Sequence, residues 1–247
     1  MNRIRLSKYL ADCGLFSRRK NEEIISSGKI KVNDAVVTDL SFKVNPCKDK
    51  VEYEDRTLKY EDRIVLALNK PVGYLSTAHD NFNRKTVLDL IKNKKLNTRL
   101  YPVGRLDYNS RGLLIITNDG ELAYKITHPK FQISKVYEVA LNKYIADKDI
   151  EKIRSGINIE GRELIPINII LSYRKKDYSI LKIKIIEGRK RIIRKIFMKL
   201  GYKVQDLRRI QIGGFILKDI PEGSYKILDK NEIILLLNKE TPSYFSP

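Results

Sequence analysis

Apolar positions near the start of the chain recur first at helical and then at strand spacing. Leu6, Tyr9, Leu10 and Cys13 share one helical stripe, and Gly14 ends it. Ser17 stands where it can cap a second helix, "RRKNEEIISSG", with Ile24 and Ile25 inward and Gly28 as the stop. "KIKVNDAVVT" alternates on both sides of Asn33-Asp34, the pattern of a hairpin. The charged stretch 53–63 has no period and predicts a linker. The division is therefore a small module over 1–52, a linker over 53–63 and a larger unit over 64–247.

In the larger unit "IVLALNKP" is an apolar run of strand length closed by Pro71. "LLIIT" is a second strand, closed by the turn Asn118-Asp119-Gly120. "ELAYKITHP" predicts a short helix ended by Pro129, "KVYEVAL" a half-buried strand, and "DKDIEKIRSG" a helix ended by Gly156. "IPINIILSYR" and "YSILKIKIIEG" read as strands, the latter with Leu181, Ile183 and Ile185 on one face and Ile180, Lys182 and Lys184 on the other. "RKRIIRKIFMKLG" predicts an amphipathic helix with Ile192, Ile193, Ile196, Phe197 and Leu200 on its stripe. Strands outnumber helices and neighbours look hairpin-joined. The expected fold class is α+β, with a mostly antiparallel mixed sheet flanked by helices.

Charge narrows the function. The 247 residues carry 49 Lys+Arg against 30 Asp+Glu, a formal net charge of +19. Such an excess on a chain with a real core points to a polyanion, nucleic acid ahead of an anionic membrane surface. No apolar run approaches the ~20 residues of a spanning helix. "MNRIRLSKYLADCG" has no apolar signal core, so the expected location is the cytoplasm. Two cysteines and two histidines without metal-ligand spacing argue against a structural zinc or a Cys–His nucleophile.

Arg18, Arg19 and Lys20 crowd the first turn of the second helix, where positive charge opposes the helix dipole. A phosphate bound there would explain them; a solvated basic turn is the plainer alternative. The stretch "RLSKYLADCGLFSRRKNEEIISSGKIKVND" resembles the S4 RNA-binding domain, whose helix–turn–helix and hairpin match the elements read above. Asp34 stands where that family often has Gly, and Asp tolerates such a turn.

In "GRLDYNSRGLLIITNDG" one carboxylate, Asp107, sits between Arg105 and Arg111 just ahead of an apolar strand. A nearby cation favours the ionised form of an aspartate, and an ionised, desolvated carboxylate can act as a nucleophile. From the residues alone a structural salt bridge or a helix cap is the plainer reading of Asp107. No Gly-rich nucleotide loop follows a strand anywhere in the chain.

This segment resembles the central motif of the bacterial pseudouridine synthases that modify ribosomal RNA, in the branch carrying an N-terminal S4 domain. "NKPVG" resembles that family's first motif, "KVYEV" the segment with its active-site tyrosine, and "EGRKRIIRKIF" its arginine-rich turn into a helix. Ile192 stands where the family commonly has Gln, and Lys195 where Arg is common. The resemblance implies that Asp107 is the catalytic carboxylate, that Tyr137 stacks on the target base, and that Arg194 pairs with Asp107. Ordinary sheet packing for Tyr137, and a phosphate contact or a solvated helix face for Arg194, are the alternatives. The resemblance further implies that Arg105 braces the loop or touches RNA, and that Lys70 helps to position the catalytic loop. Arg18, Arg19, Lys20, Lys70, Arg105, Arg189 and Arg191 make up the expected RNA-binding set.

The reaction so implied isomerises a uridine in ribosomal RNA, flipped out of its stack, and needs neither cofactor nor metal. Attack at the ribose, attack at the uracil ring and simple promotion of glycosidic cleavage all stay open. The short C-terminal extension and "HPK" look closer to the large-subunit branch than to the small-subunit one. The implied partner is ribosomal RNA or a pre-ribosomal particle, with no membrane, and the protein acting as a monomer. The competing readings are a small-subunit enzyme, a non-catalytic S4-type RNA-binding protein, and an S4-bearing methyltransferase, for which no cofactor turn is found.

Overall fold

The computed structural model describes residues 3–91, 96, 98–164, 166 and 168–239. Two compact units result, the smaller running to Ile64 and including 118–120, the larger holding most of the remaining chain.

In the smaller unit helices Leu6–Asp12 and Arg18–Ser26 form as the periodicity requires. Ser17 caps the second, its side chain accepting a hydrogen bond from the Lys20 amide at 3.3 Å. The hairpin Ile30–Val32 with Ala35–Val36 turns at Asn33 and Asp34, both at positive φ (50° and 66°). These small polar side chains tolerate that conformation. Leu6, Leu10, Ile25, Ile30, Val44 and Val51 close the core.

The expected linker is shorter than read. Val51–Tyr53 pairs with Ile30–Val32 and with Arg56–Thr57, so residues to 57 belong to this small sheet. The turn is made by Glu54 and Asp55 at φ 49° and 58°. Glu-Asp is not a turn signature, which is why the pattern hides it.

The larger unit is built on a mixed sheet. Its strands run in the order Asn168–Arg174, Ser179–Ile185, Lys135–Leu141, Val204–Ile212, Arg111–Thr117, Val65–Lys70 and Tyr225–Ile227. Neighbours along this path pair antiparallel except Val204–Ile212 with Arg111–Thr117, a short parallel contact with Arg208 opposite Arg111 and Arg209 opposite Gly112. Gly112 is required there: at φ +102° a Cβ would lie 2.3 Å from the Arg209 carbonyl oxygen. One apolar core lies with the strands before this contact, around Val139, Leu181, Ile183, Ile196 and Phe197. A second lies with the strands after it, around Ala67, Leu113, Ile115, Ile126 and Leu236.

Several expected elements shift. The strand read as "LLIIT" begins at Arg111, and the helix after it runs Gly120–Thr127. "RKRIIRKIFMKLG" is helical only over Ile192–Lys199. Arg191 sits at φ 54°, a left-handed conformation that ends the helix on that side, so Arg189 and Lys190 belong to a turn. In "IPINIILSYR", Asn168–Arg174 is a strand, while Ile165 and Ile167 lie outside the described residues. The C-terminal extension from 240 also lies outside them. The hairpin Ile157–Ile159 with Arg162–Leu164 has no counterpart among the expected elements. Among the described residues no helix is long and apolar enough to cross a membrane.

Candidate active site

Asp107 stands on a turn leading into the strand Arg111–Thr117, with its backbone carbonyl accepting from the Ser110 amide at 3.0 Å. No helix begins there, so the helix-cap reading falls. The turn is held from three sides. The Lys70 ammonium donates to the carbonyls of Pro71 (3.0 Å), Asp107 (3.2 Å) and Ser110 (2.7 Å). Arg194 donates to the Asn109 carbonyl at 2.8 Å and to Ser110 Oγ at 3.3 Å. Ser76 Oγ donates to the Leu106 carbonyl at 2.9 Å and accepts from the Leu106 amide at 3.1 Å.

Lys70 is fully buried, which excludes it from the expected RNA-contacting set. All three ammonium protons are taken up by carbonyls, two of them on the Asp107 turn. Its placement follows from the chain: it ends the buried strand Val65–Lys70, and Pro71 stops that strand beside the Asp107 turn. Burial pushes its ammonium down to about 8, against the opposing pull of the Asp107 and Glu222 carboxylates.

The cations near the Asp107 carboxylate are not the ones flanking it in sequence. Arg111 pairs with Asp206 at 2.7 Å and reaches Glu222 at 3.4 Å. Instead Arg191 Nη1 lies 3.7 Å and Arg194 Nε 3.9 Å from Asp107 Oδ2. Both distances exceed a hydrogen bond. Arg194 Nε is buried without a hydrogen-bond partner. It comes within bonding reach after a side-chain shift of about 1 Å, as sites often tighten when occupied. Burial and the neighbouring Arg191 lower the Arg194 guanidinium from its ordinary value, while Asp107 and Asp206 oppose them.

A cavity of about 770 Å³ opens over this turn and is lined by Asp107, Tyr137, Arg105, Arg189, Arg191 and Arg209 among others. That volume suits a nucleoside-sized ligand. Tyr137 is half-buried, on the strand Lys135–Leu141, next to a register shift against Val204–Ile212 between Val136 and Tyr137. Such a bulge re-aims side chains beside a site. Arg105 is exposed at the rim. Arg189 is engaged by Glu187 and by the Ile159 carbonyl at 3.2 Å, so it enters any RNA contact already partnered. Arg18, Arg19 and Lys20 are exposed on the smaller unit, and Lys20 pairs with Glu23 at 2.8 Å.

Sequence reasoning passed over four contributors. Ser76 and Ser110 hold the turn, and nothing in their neighbourhood signals it. Lys135 and Arg209 line the cavity, and both are largely buried. Lys135 donates to the carbonyls of Ile126 (3.2 Å) and Ile133 (2.6 Å), and burial lowers it to about 8. Arg209 donates to the Leu113 carbonyl at 2.7 Å while its Nη2 has no partner. Arg209 sits in the alternating strand "VQDLRRIQI", where a charge on the buried phase is the one available signal.

Comparison with known proteins decides the family. Residues 64–199 match the RNA pseudouridylate synthase family, and residues 4–49 match the S4 domain. The chain belongs to the RNA pseudouridylate synthases. Among relatives of this pseudouridine synthase is ribosomal large subunit pseudouridine synthase B of Bacillus subtilis, 40% identical over 232 residues and covering 93% of each chain. An uncharacterized RNA pseudouridine synthase of Aquifex aeolicus is 39% identical over 238 residues, covering 96% of this chain and 94% of the other. A crystal structure of a pseudouridylate synthase superposes with a TM-score of 0.66 at 28% identity, covering 94% of this chain and 99% of that one. The expected α+β synthase fold with an N-terminal S4 domain is the one found, and the enzyme class is that of an isomerase acting on RNA.

Proposed function

We propose that this pseudouridine synthase converts one uridine of large-subunit ribosomal RNA to pseudouridine, with Asp107 as the catalytic carboxylate. The observation that carries the reading is an aspartate on a turn clamped by Lys70 and Arg194, facing a nucleoside-sized cavity. The target nucleotide leaves its stack to enter the cavity, as enzymes that act on a base in structured RNA require. There the N1–C1′ bond breaks, the base turns, C5 bonds to C1′, and the proton leaving C5 is replaced by one at N1. Substrate and product are isomers, so the step balances without a co-reactant.

The division of labour is that the S4-like module over 1–52 docks RNA through Arg18 and Arg19, and the part from 64 onward carries the chemistry. Arg194 orients Asp107 and Tyr137 stacks on the base. Arg105 and Arg191 meet phosphates at the rim. The large subunit is favoured by the 40% identity to the Bacillus subtilis large-subunit enzyme across nearly both chains. The protein works as a monomer in the cytoplasm, on ribosomal RNA or a pre-ribosomal particle.

Pseudouridine mapping of both ribosomal RNAs from a strain lacking the gene, beside modification of each naked RNA by purified protein, tests this. One lost large-subunit site, restored by the protein, is expected. A lost small-subunit site overturns the subunit. No lost site and no activity on either RNA returns the chain to a binding role.

A further inference from the structure

Between Lys70 and the Asp107 turn the chain forms a loop over 73–86. Its base is stitched to the catalytic turn on both sides of Asp107. The Gly73 amide donates to the Tyr108 carbonyl at 3.0 Å, and Ser76 exchanges two hydrogen bonds with Leu106. Leu75 bridges Thr86 across the neck of the loop, and its amide donates to the Lys85 carbonyl at 2.9 Å.

The tip is braced. The Asp80 carboxylate accepts from the Phe82 amide (3.0 Å), the Arg84 amide (3.1 Å) and the Arg84 guanidinium (2.6 Å). These bonds hold its carboxyl below the usual carboxylate range. Phe82 projects from this brace at 78% exposure, more than any other large hydrophobic residue among those described. The Arg84 guanidinium lies 5.2 Å from the Phe82 ring centroid, and Lys85 Nζ lies 5.9 Å from that of Tyr74.

A ring exposed on a rigid turn cannot withdraw into a core. Its sequence neighbours Asn81, Asn83 and Arg84 are exposed and polar, so along the chain it stands as a single ring and not in an apolar run. A single ring with the Arg84 guanidinium beside it is instead an arrangement that can take the face of one nucleobase, with its phosphate beside it.

We propose that Phe82 is a stacking platform for an unpaired base of the substrate RNA, adjacent to the uridine that enters the cavity. The proposal rests on the RNA-isomerising function above. Stitching at Leu106 and Tyr108 gives the platform a fixed distance from Asp107. It thereby supplies a selection among uridines: one with an unpaired, stackable neighbour is preferred over one inside a continuous helix.

The test uses the full-length protein, a large-subunit ribosomal RNA transcript, and the variants Phe82→Ala, Phe82→Leu and Phe82→Trp. Phe82→Ala is expected to weaken transcript binding roughly 5- to 100-fold, the equivalent of removing one base–aromatic stack. Phe82→Leu keeps apolar area without a ring and is expected to fail like Phe82→Ala, while Phe82→Trp restores affinity. The dependence of affinity on salt stays unchanged, because every phosphate keeps its cation. Equal affinity in all four proteins, or Phe82→Leu binding as well as Phe82→Trp, overturns the platform. Wild-type protein that binds the transcript without converting it fails the activity reading alone, and the affinity series still decides the stacking.

Discussion

At the scale of single residues, the site separates chemistry from positioning. Asp107 lies near two guanidinium groups but is hydrogen-bonded by neither; its place is set through the backbone. Asp107→Asn keeps that backbone frame and the side chain's shape but removes the anion. It is expected to bind RNA like the wild type and to make no pseudouridine, as read by product analysis, with protein mass checked for slow deamidation. Arg194 joins the two roles, holding the Asn109 carbonyl while presenting Nε to the carboxylate. Arg194→Ala should lower the single-turnover rate by about 100-fold, the scale of a 1 Å misplacement, and leave RNA affinity nearly unchanged. Arg194→Lys should recover part of the rate, since an ammonium lacks the planar fork. Normal turnover with a raised KM would mark Arg194 as a phosphate contact instead.

At the scale of elements, the turn Ser17–Lys20 concentrates exposed positive charge at a capped helix start. Replacing Arg18, Arg19 and Lys20 together should weaken RNA binding and lower its log–log salt slope by roughly 0.7–0.9 for each phosphate left without its cation. Lys20 is paired with Glu23, so Arg18 and Arg19 should account for most of the change. An unchanged slope would make this a solvated surface. Elements were legible where local rules act alone. The stripe at Leu6, Tyr9 and Leu10, the Ser17 cap and the Asn33-Asp34 turn all follow from spacing and turn chemistry. The Glu54-Asp55 turn and the left-handed Arg191 were illegible, because tertiary pairing imposes φ values these residues do not favour. The site was legible in part. Asp107 stood out as a lone acid among arginines, and the family resemblance named Arg194, which does lie beside it, but the flanking Arg111 does not. Arg111 turns to Asp206 on an adjacent strand, and the cations near Asp107 come from a turn and helix 84 to 87 positions later in the chain.

At the scale of the whole molecule, a chain of net charge +19 keeps Lys70 wholly and Lys135 in large part out of water. Lys70 and Lys135 are both lowered to about 8 by burial. Between about pH 8 and the ordinary lysine range near 10.4, the unfolded chain binds more protons than the folded one, so these groups raise stability as pH increases. Below about pH 8 the cost of their buried charge is fully present. Function should move the other way. A neutral Lys70 has two N–H groups for three carbonyls, so the Asp107 turn loses a tie. Turnover is expected to fall as pH rises through about 8 while these two groups add to the melting temperature, checked by single-turnover rates and thermal melts on the same samples. A flat rate profile across that range would remove the Lys70 charge from turn positioning. The short parallel contact between Val204–Ile212 and Arg111–Thr117 adds a consequence for the order of assembly. On either side of that seam lies a run of antiparallel strands with its own apolar core. Lys70 comes from one side and Arg194 from the other. Most pairings within each half are nearer in sequence than the seam, which joins residues nearly a hundred positions apart; the edge pairing of Tyr225–Ile227 with Val65–Lys70 spans more still, so these two closures carry the larger loop-closure costs. An intermediate with both halves formed and the seam open would hold nearly all of the native secondary structure with the Asp107 turn clamped from one side only. Catalytic competence in this chain is therefore a late signal of folding, one that separates a finished molecule from one that only looks native by its backbone content.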